Sequence, residues 1–350
     1  MNPQPSWMRA EIEAIPVLLA EARSNQATVD ALAARISAHP PTAIVIAGRG
    51  TSDHAALYAR YLLELTIGVP ASLAAPSLVT LYGARPDWRH VLVLAISQSG
   101  GSPDLLAVID AARQGGAVTC GIVNDVGSEL AGLVDVLLPI GAGPERSVAA
   151  TKSYVLALDT IARLAAATAA TSWARALSQV PETARHVLDA SSAWMIGEGA
   201  PLVDALAKAD RALVVSRGMN LATALEVALK LKETAQIFAD GYSAADLMHG
   251  PVSLGGPDVP AIVFRPDGPT VPSIDASLSA LGLAGSPAWT IGTPSLRTGS
   301  AALALPCDLP EPLTPIALVL PGYLLAEQVA RRRGLDPDRP RGLAKVTKTS

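Results

Sequence analysis

Residues 43–52 read Ala43-Ile44-Val45-Ile46-Ala47-Gly48-Arg49-Gly50-Thr51-Ser52, and a helical stretch follows from Asp53 to Leu65. An unbroken run of small and β-branched apolar residues suits a strand covered on both faces. The glycine-bearing turn lets the backbone reverse sharply. Strand, turn and helix in this order make the opening unit of a parallel sheet. Gly48-x-Gly50 lacks the third glycine of a dinucleotide fingerprint, which argues against that class of ligand.

The unit recurs along the chain. Val91 to Ile96 is a second apolar run, Ser97-Gln98-Ser99-Gly100-Gly101-Ser102 its turn, and Pro103 to Arg113 its helix. Ala117 to Val123 and Val134 to Pro139 read as further strands, and an alanine-rich helix is expected over 148–170. Arg211 to Ser216, the turn Arg217-Gly218-Met219-Asn220 and a helix over 221–236 repeat the opening pattern, so the two halves read as weak internal copies. Strands are expected at 261–264, 288–291 and 303–306. Ahead of the first strand, Ile12, Ile15, Leu18, Leu19 and Ala22 share one helical face within residues 7–38. The expected organisation is an N-terminal helical segment (1–38), two doubly wound α/β lobes (39–192 and 193–335) and a C-terminal tail (336–350).

Composition agrees with a packed chain. Of 350 residues, 50% are apolar and 17% charged, which suits a large core and not a disordered chain. The net charge of −4 gives no global field for nucleic acid. Arg331-Arg332-Arg333 suits the C-terminal end of a helix, where cations meet the negative end of the dipole. Cys120 and Cys307 are too few for a disulfide framework or a zinc site and read as buried apolar residues of a reduced, cytoplasmic chain. The start, Met1-Asn2-Pro3, lacks the basic and apolar regions of a secretory signal. Leu313 to Ala326 is uncharged but shorter than the roughly 20 residues that span a bilayer, so it reads as a buried helix or helix pair. No membrane association is expected.

Four constellations carry chemistry. In the Ser97–Ser102 turn, Ser102 suits a helix N-cap and Pro103 the first helical position. Glycines admit close backbone approach, and free amides with the positive helix end attract an anion. Serine hydroxyls add donors, so a phosphate monoester fits, although a serine that only caps its helix gives the same pattern. No Gly-Lys-Ser/Thr element of a nucleotide P-loop is present. Glu226, Lys230 and Glu233, at offsets of four and three, share one helix face. That spacing describes a solvated ion-pair stripe, or, facing a cleft, a carboxylate held ready to take a proton from carbon. His249 precedes Gly250-Pro251 and is presented on a turn. Lys345 lies in a Pro/Gly-rich tail and gains a role only if that tail folds back.

These segments together resemble the SIS (sugar isomerase) family, in particular the isomerase half of glucosamine-6-phosphate synthases and the stand-alone amino-sugar-6-phosphate deaminases. The matching pieces are GRGTS at 48–52, SQSGGS at 97–102, PERSVAATKS at 144–153, ALEVALKLKE at 224–233, LMHGP at 247–251 and PRGLAK at 340–345. Their shared order makes the resemblance specific across nearly the whole chain. It implies two flavodoxin-like lobes, each of three α/β/α layers. It implies that Thr51, Ser52, Ser97, Gln98, Ser99 and Ser102 hold the sugar phosphate and nearby hydroxyls, with backbone contacts from Val148 and Ala344. It implies that Glu233 moves a proton between C1 and C2, that His249 assists ring opening across a homodimer interface, and that Lys345 meets the carbonyl end. Lys230 and Glu226 would support that site, Lys230 among the catalytic group. No cofactor or metal is implied. Ala150 stands where the synthases have serine, and residue 2 is asparagine rather than their catalytic cysteine. Both features turn the expectation toward a deaminase acting without a glutaminase domain. A plain sugar-phosphate isomerase, a fructosamine-phosphate deglycase and a non-catalytic sugar-phosphate sensor remain as alternatives.

Overall fold

The computed structural model describes residues 5–296 and 301–345; positions 1–4 and 346–350 of the two expected terminal segments lie outside the described residues. The chain divides into two compact units. Lobe 1 gathers Val17–Glu145, Lys152–Leu177, Ala344 and Lys345. Lobe 2 gathers the described residues from Pro5 to Pro16, Arg146–Thr151 and those within Ser178–Leu343.

Along the chain, the first helices are α1 (Trp7–Glu21), α2 (Gln26–Ala38), α3 (Thr51–Ile67), α4 (Ser77–Thr80), α5 (Pro103–Gln114), α6 (Glu129–Leu133) and α7 (Lys152–Thr168). The strands among them are β1 (Ala43–Ala47), β2 (Ala71–Leu73), β3 (Val91–Ser97), β4 (Val118–Val123) and β5 (Val136–Pro139). Then follow α8 (Val180–Ile196), α9 (Ala200–Lys208), α10 (Leu221–Ala235), α11 (Ala244–Met248), α12 (Val271–Leu283) and α13 (Thr314–Arg332). Their strands are β6 (Arg211–Ser216), β7 (Phe238–Ser243), β8 (Ala261–Arg265), β9 (Ala288–Gly292) and β10 (Ala302–Ala304).

Each lobe holds one all-parallel sheet. The order in lobe 1 is β2-β1-β3-β4-β5, with Ile44 opposite Leu92 and Ile46 opposite Leu94. The order in lobe 2 is β10-β9-β8-β6-β7, with Leu213 opposite Ala261. Renumbered within its lobe, the second sheet has the same order as the first, and both are the flavodoxin-like doubly wound arrangement. Alternate residues of each strand face opposite helix layers. In lobe 1, Val93 and Ala95 pack with Leu105, Val108 and Ile109 of α5. In lobe 2, Leu213, Val215, Ala261 and Val263 pack with Ile274 and Leu281 of α12 and Leu247 of α11. In such a sheet the strand order reverses next to the first strand, and ligands bind beyond the carboxyl ends there. In lobe 1 that point lies between β1 and β3, whose following turns are 48–52 and 97–102.

Several elements depart from the sequence reading. Residues 7–38 form two helices, because Asn25 leaves the helix path to donate to the Pro139 carbonyl at 2.6 Å and accept from Arg163 at 2.7 Å. The alanine-rich helix begins at Lys152 rather than near 148, where the Glu145 carboxylate receives the Ser153 N–H at 3.1 Å. The run from Leu313 is a single helix, α13, which continues through Pro321 to Arg332. Glu311–Arg332 is long and apolar enough to cross a membrane, but 94% of its apolar window is buried inside the protein. α8 runs unbroken through Ser191–Ile196, so the chain changes lobe between Leu177 and Ser178. The arginine triplet does close α13: Arg331 pairs with Glu327, Arg332 with Asp204, and Arg333 donates to the Ala209 carbonyl at 2.7 Å.

Candidate active site

Two turns of lobe 1, 48–52 and 97–102, follow the strands β1 and β3 at the point where the strand order reverses. Gly48 cannot be larger, since a Cβ there would lie 2.4 Å from the Ser52 carbonyl oxygen. Thr51 and Ser52 open α3, a helix of 17 residues, behind Gly50 as its N-cap. At the second turn Ser97 ends β3, and its Oγ accepts the Gly100 N–H at 2.9 Å. Gly100 has φ +62, and a Cβ would fall 1.9 Å from Ser128 Oγ. The turn is therefore locked in a form that only glycine adopts. Ser102 is the N-cap of α5 in extended conformation, with Pro103 at the first helical position. Its hydroxyl does not cap: Ser102 Oγ is buried with no hydrogen-bond partner among the described residues. A buried donor of this kind is costly unless something accepts from it. The backbone of Gln98 anchors the turn by accepting from the Asp125 N–H at 3.2 Å.

Sequence reasoning missed the brace between these turns. Arg49 donates through Nη2 and Nε to Asp104 Oδ2, at 2.5 and 3.0 Å. Asp104 is almost wholly buried in the first turn of α5, while Arg49 is half exposed. The only hint in the chain was an acidic residue two positions after the N-cap. Beside it, burial raises the Asp53 carboxyl above its ordinary range, against the pull of His54 and Arg49.

In lobe 2, α10 carries Glu226, Lys230 and Glu233. Lys230 Nζ lies 2.5 Å from Glu233 Oε2 and 3.5 Å from Glu226 Oε1. The Tyr323 hydroxyl donates to Glu226 Oε1 at 3.1 Å. Exposure is graded: the side chains of Lys230 and Glu226 are 0% exposed and that of Glu233 is 22% exposed. The solvated-stripe reading therefore fails, because water reaches one of the three. Only Glu233 can touch a ligand; Lys230 and Glu226 can act only through it. His249 caps the C-terminal end of α11 and is exposed.

The tail is tied down at two positions. Asp338 receives the N–H groups of Trp7 and Met8 at 2.8 and 2.7 Å, and its carbonyl receives the Val148 N–H at 3.1 Å. Val148 thus has its amide committed within lobe 2. In lobe 1, Lys345 Nζ lies 3.0 Å from Glu145 Oε2, next to the exposed Ala344. Burial pushes the Cys120 thiol up to about 12 and the Cys307 thiol to about 11, so neither is a thiolate near neutral pH. Among the described residues no group of three His, Cys, Asp or Glu side chains is placed to hold a metal ion.

The equivalent crevice of lobe 2 is filled from within. Glu311, ahead of α13, reaches between the turns that follow β6 and β8. A Cβ on Gly268 would lie 2.5 Å from its Oε2, and Thr270 Oγ1 donates to its Oε1 at 3.4 Å. Burial raises the Glu311 carboxyl, with the Thr270 hydrogen bond opposing.

Residues 39–167 and 205–287 match the family model of the SIS domain. The chain belongs to the SIS domain family. Over 302 residues this SIS chain is 35% identical to glutamine–fructose-6-phosphate aminotransferase (isomerizing) of Methanothermobacter thermautotrophicus, covering 85% of the chain and 50% of that protein. It thus spans about half the length of the curated relatives it matches. A protein of Silicibacter pomeroyi, provisionally named a phosphosugar isomerase, shares 32% identity and a TM-score of 0.84 over 95% of this chain and 100% of its own. Glucosamine-6-phosphate deaminase of Thermotoga maritima shares the SIS fold, with a TM-score of 0.78 at 20% identity over 98% of this chain and 100% of its own.

Proposed function

We propose that the chain is an amino-sugar-6-phosphate isomerase that releases ammonia, converting glucosamine 6-phosphate or a close analogue into the ketose phosphate. The observation that carries this reading is the graded cluster on α10: a buried ammonium between two carboxylates, of which only Glu233 reaches the surface. Such a carboxylate is fixed in place by its neighbour and can exchange a proton with a bound ligand. The Ser97–Ser102 turn takes the phosphate, with Thr51, Ser52, Gln98 and Ser99 around it. The buried Ser102 hydroxyl then gains an acceptor.

In the reaction, His249 of a second copy assists ring opening to the aldehyde. Glu233 takes the C2 proton; the C–H electron pair forms the C1–C2 double bond, and O1 is protonated. Glu233 returns its proton to C1, which leaves an iminium at C2. Water adds at C2 and ammonia leaves, giving the C2 ketone. Lys345 stands at the carbonyl end, with Ala344 and Val148 offering backbone contacts. Lys230 and Glu226 position Glu233.

The relatives named as an isomerizing aminotransferase and a phosphosugar isomerase support sugar-phosphate chemistry. Ala150 in place of the synthase serine supports the ammonia-releasing variant. The test is ammonia release and ketose formation from glucosamine, galactosamine and fructosamine 6-phosphates. Ammonia from an aldose amine supports the reading. Isomerisation without ammonia, release from fructosamine phosphate alone, or binding without turnover would each replace it.

A further inference from the structure

Glu145 is a buried carboxylate that the proposed mechanism leaves unused. Its side chain is fully buried, yet it accepts three hydrogen bonds within lobe 1: the Ser153 N–H at 3.1 Å on Oε1, the Ser153 hydroxyl at 2.9 Å on Oε2, and Lys345 Nζ at 3.0 Å on Oε2. Ser153 is the second residue of α7, so Glu145 stands at the positive end of a 17-residue helix. The neighbouring Lys152 Nζ donates to the Pro144 carbonyl at 2.7 Å and fixes the backbone that carries Glu145. The carboxylate is thus held from the Ser153 side and also receives Lys345, 200 positions along the chain.

We infer that Glu145 is the positioning residue for Lys345, fixing the tail so that the ammonium is delivered to one place. This rests on the reading that Lys345 meets the sugar's carbonyl end. A lysine side chain on a Pro/Gly-rich tail has many rotamers to lose, and a buried, pre-oriented acceptor selects one of them. Glutamine at 145 keeps an oxygen for the Ser153 amide but loses the charge that holds Lys345. Glu145→Gln therefore separates the helix cap from the ion pair.

The experiment has a substrate-free arm and a catalytic arm. Trypsin treatment of the full-length protein, followed by intact mass, reads cleavage after Lys345. Glu145→Gln is expected to speed this cut about tenfold or more, Glu145→Asp to lie between the two, and the thermal melting curve to change little. An unchanged rate of cleavage in Glu145→Gln overturns the inference whatever the substrate. In the catalytic arm, with glucosamine 6-phosphate, Glu145→Gln is expected to lower kcat about tenfold or more with KM little changed. Adding it to Lys345→Met should cause no further loss. Independent, additive losses would overturn the positioning role. An active Lys345→Met would instead remove the role given to Lys345 and leave the tether standing on the proteolysis result.

Discussion

Lys230 Nζ stands 2.5 Å from Glu233 Oε2 although no part of the Lys230 side chain is exposed. A cation in that position is shielded from bulk water, and its two carboxylates help offset the cost of burying it. Lys230→Met leaves Glu226 buried beside an apolar side chain. The expected loss is about 3–5 kcal/mol of stability, the usual result of breaking a buried pair. Denaturant midpoints measure it, and the double variant Glu226→Gln with Lys230→Met should recover part of the loss. Equal stability of the two variants would argue against the pair as the cause.

Glu233 itself is partly exposed but pairs with buried Lys230, so its replacement should cost some stability and far more turnover. Glu233→Gln is expected to lower the melting temperature moderately, since buried Lys230 keeps only Glu226 of the two carboxylates, while sugar-phosphate affinity holds and kcat falls by about 10²–10⁴-fold. Turnover at the wild-type rate would remove Glu233 from the chemistry.

Two positions of the 97–102 turn make opposite demands. Ser102→Ala removes a buried hydroxyl without a protein partner, so stability should hold or rise slightly while affinity for glucosamine 6-phosphate drops. Gly100→Ala places a methyl on Ser128 in a backbone conformation that alanine disfavours. It should lower both stability and affinity. Calorimetric titration beside a thermal melt separates the two patterns.

Arg49 and Asp104 differ in exposure, and the difference predicts an asymmetry. Arg49→Ala strands a buried carboxylate and should cost about 1–3 kcal/mol. Asp104→Asn leaves a half-exposed guanidinium that water can solvate, so its cost should be under about 1 kcal/mol. Chemical denaturation of both variants ranks them; the reverse order would refute the argument.

Glu311 makes a pH prediction. Burial raises its folded-state value above the ordinary 4.5, so the folded protein binds this proton more tightly than the unfolded chain. Its contribution to stability is fully present below pH 4.5 and is lost as pH rises through the raised value. Glu311→Gln should remove that part of the pH dependence. Unfolding midpoints at pH 4, 5, 6 and 7 for the two proteins give the difference curve, and parallel curves would contradict the assignment.

Much of this was legible in the chain because it is local. A run such as Ala43–Ala47 declares a covered strand, Ser102-Pro103 declares a helix start, and Glu226, Lys230 and Glu233 must share a face wherever their helix lies. Short or mixed segments were less legible. β2 has only three residues, and β7 carries Asp240, Gly241 and Tyr242 in a strand whose apolar signal is weak. The break at Asn25 was invisible because its partners, Pro139 and Arg163, lie more than a hundred positions away.

By itself the sequence determined two α/β lobes of one design, the glycine- and serine-bearing turn ahead of Pro103 and the charged face of α10, since hydrophobic period, turn chemistry and helical spacing act over a few residues. Tertiary structure alone decided that Lys230 is buried while Glu233 is not, that Asp104 braces Arg49, that Glu145 holds Lys345 and that Glu311 fills the second crevice. The physical reason is that exposure and ion pairing depend on which distant segments the folded chain brings within about 3 Å, and no local pattern encodes that distance.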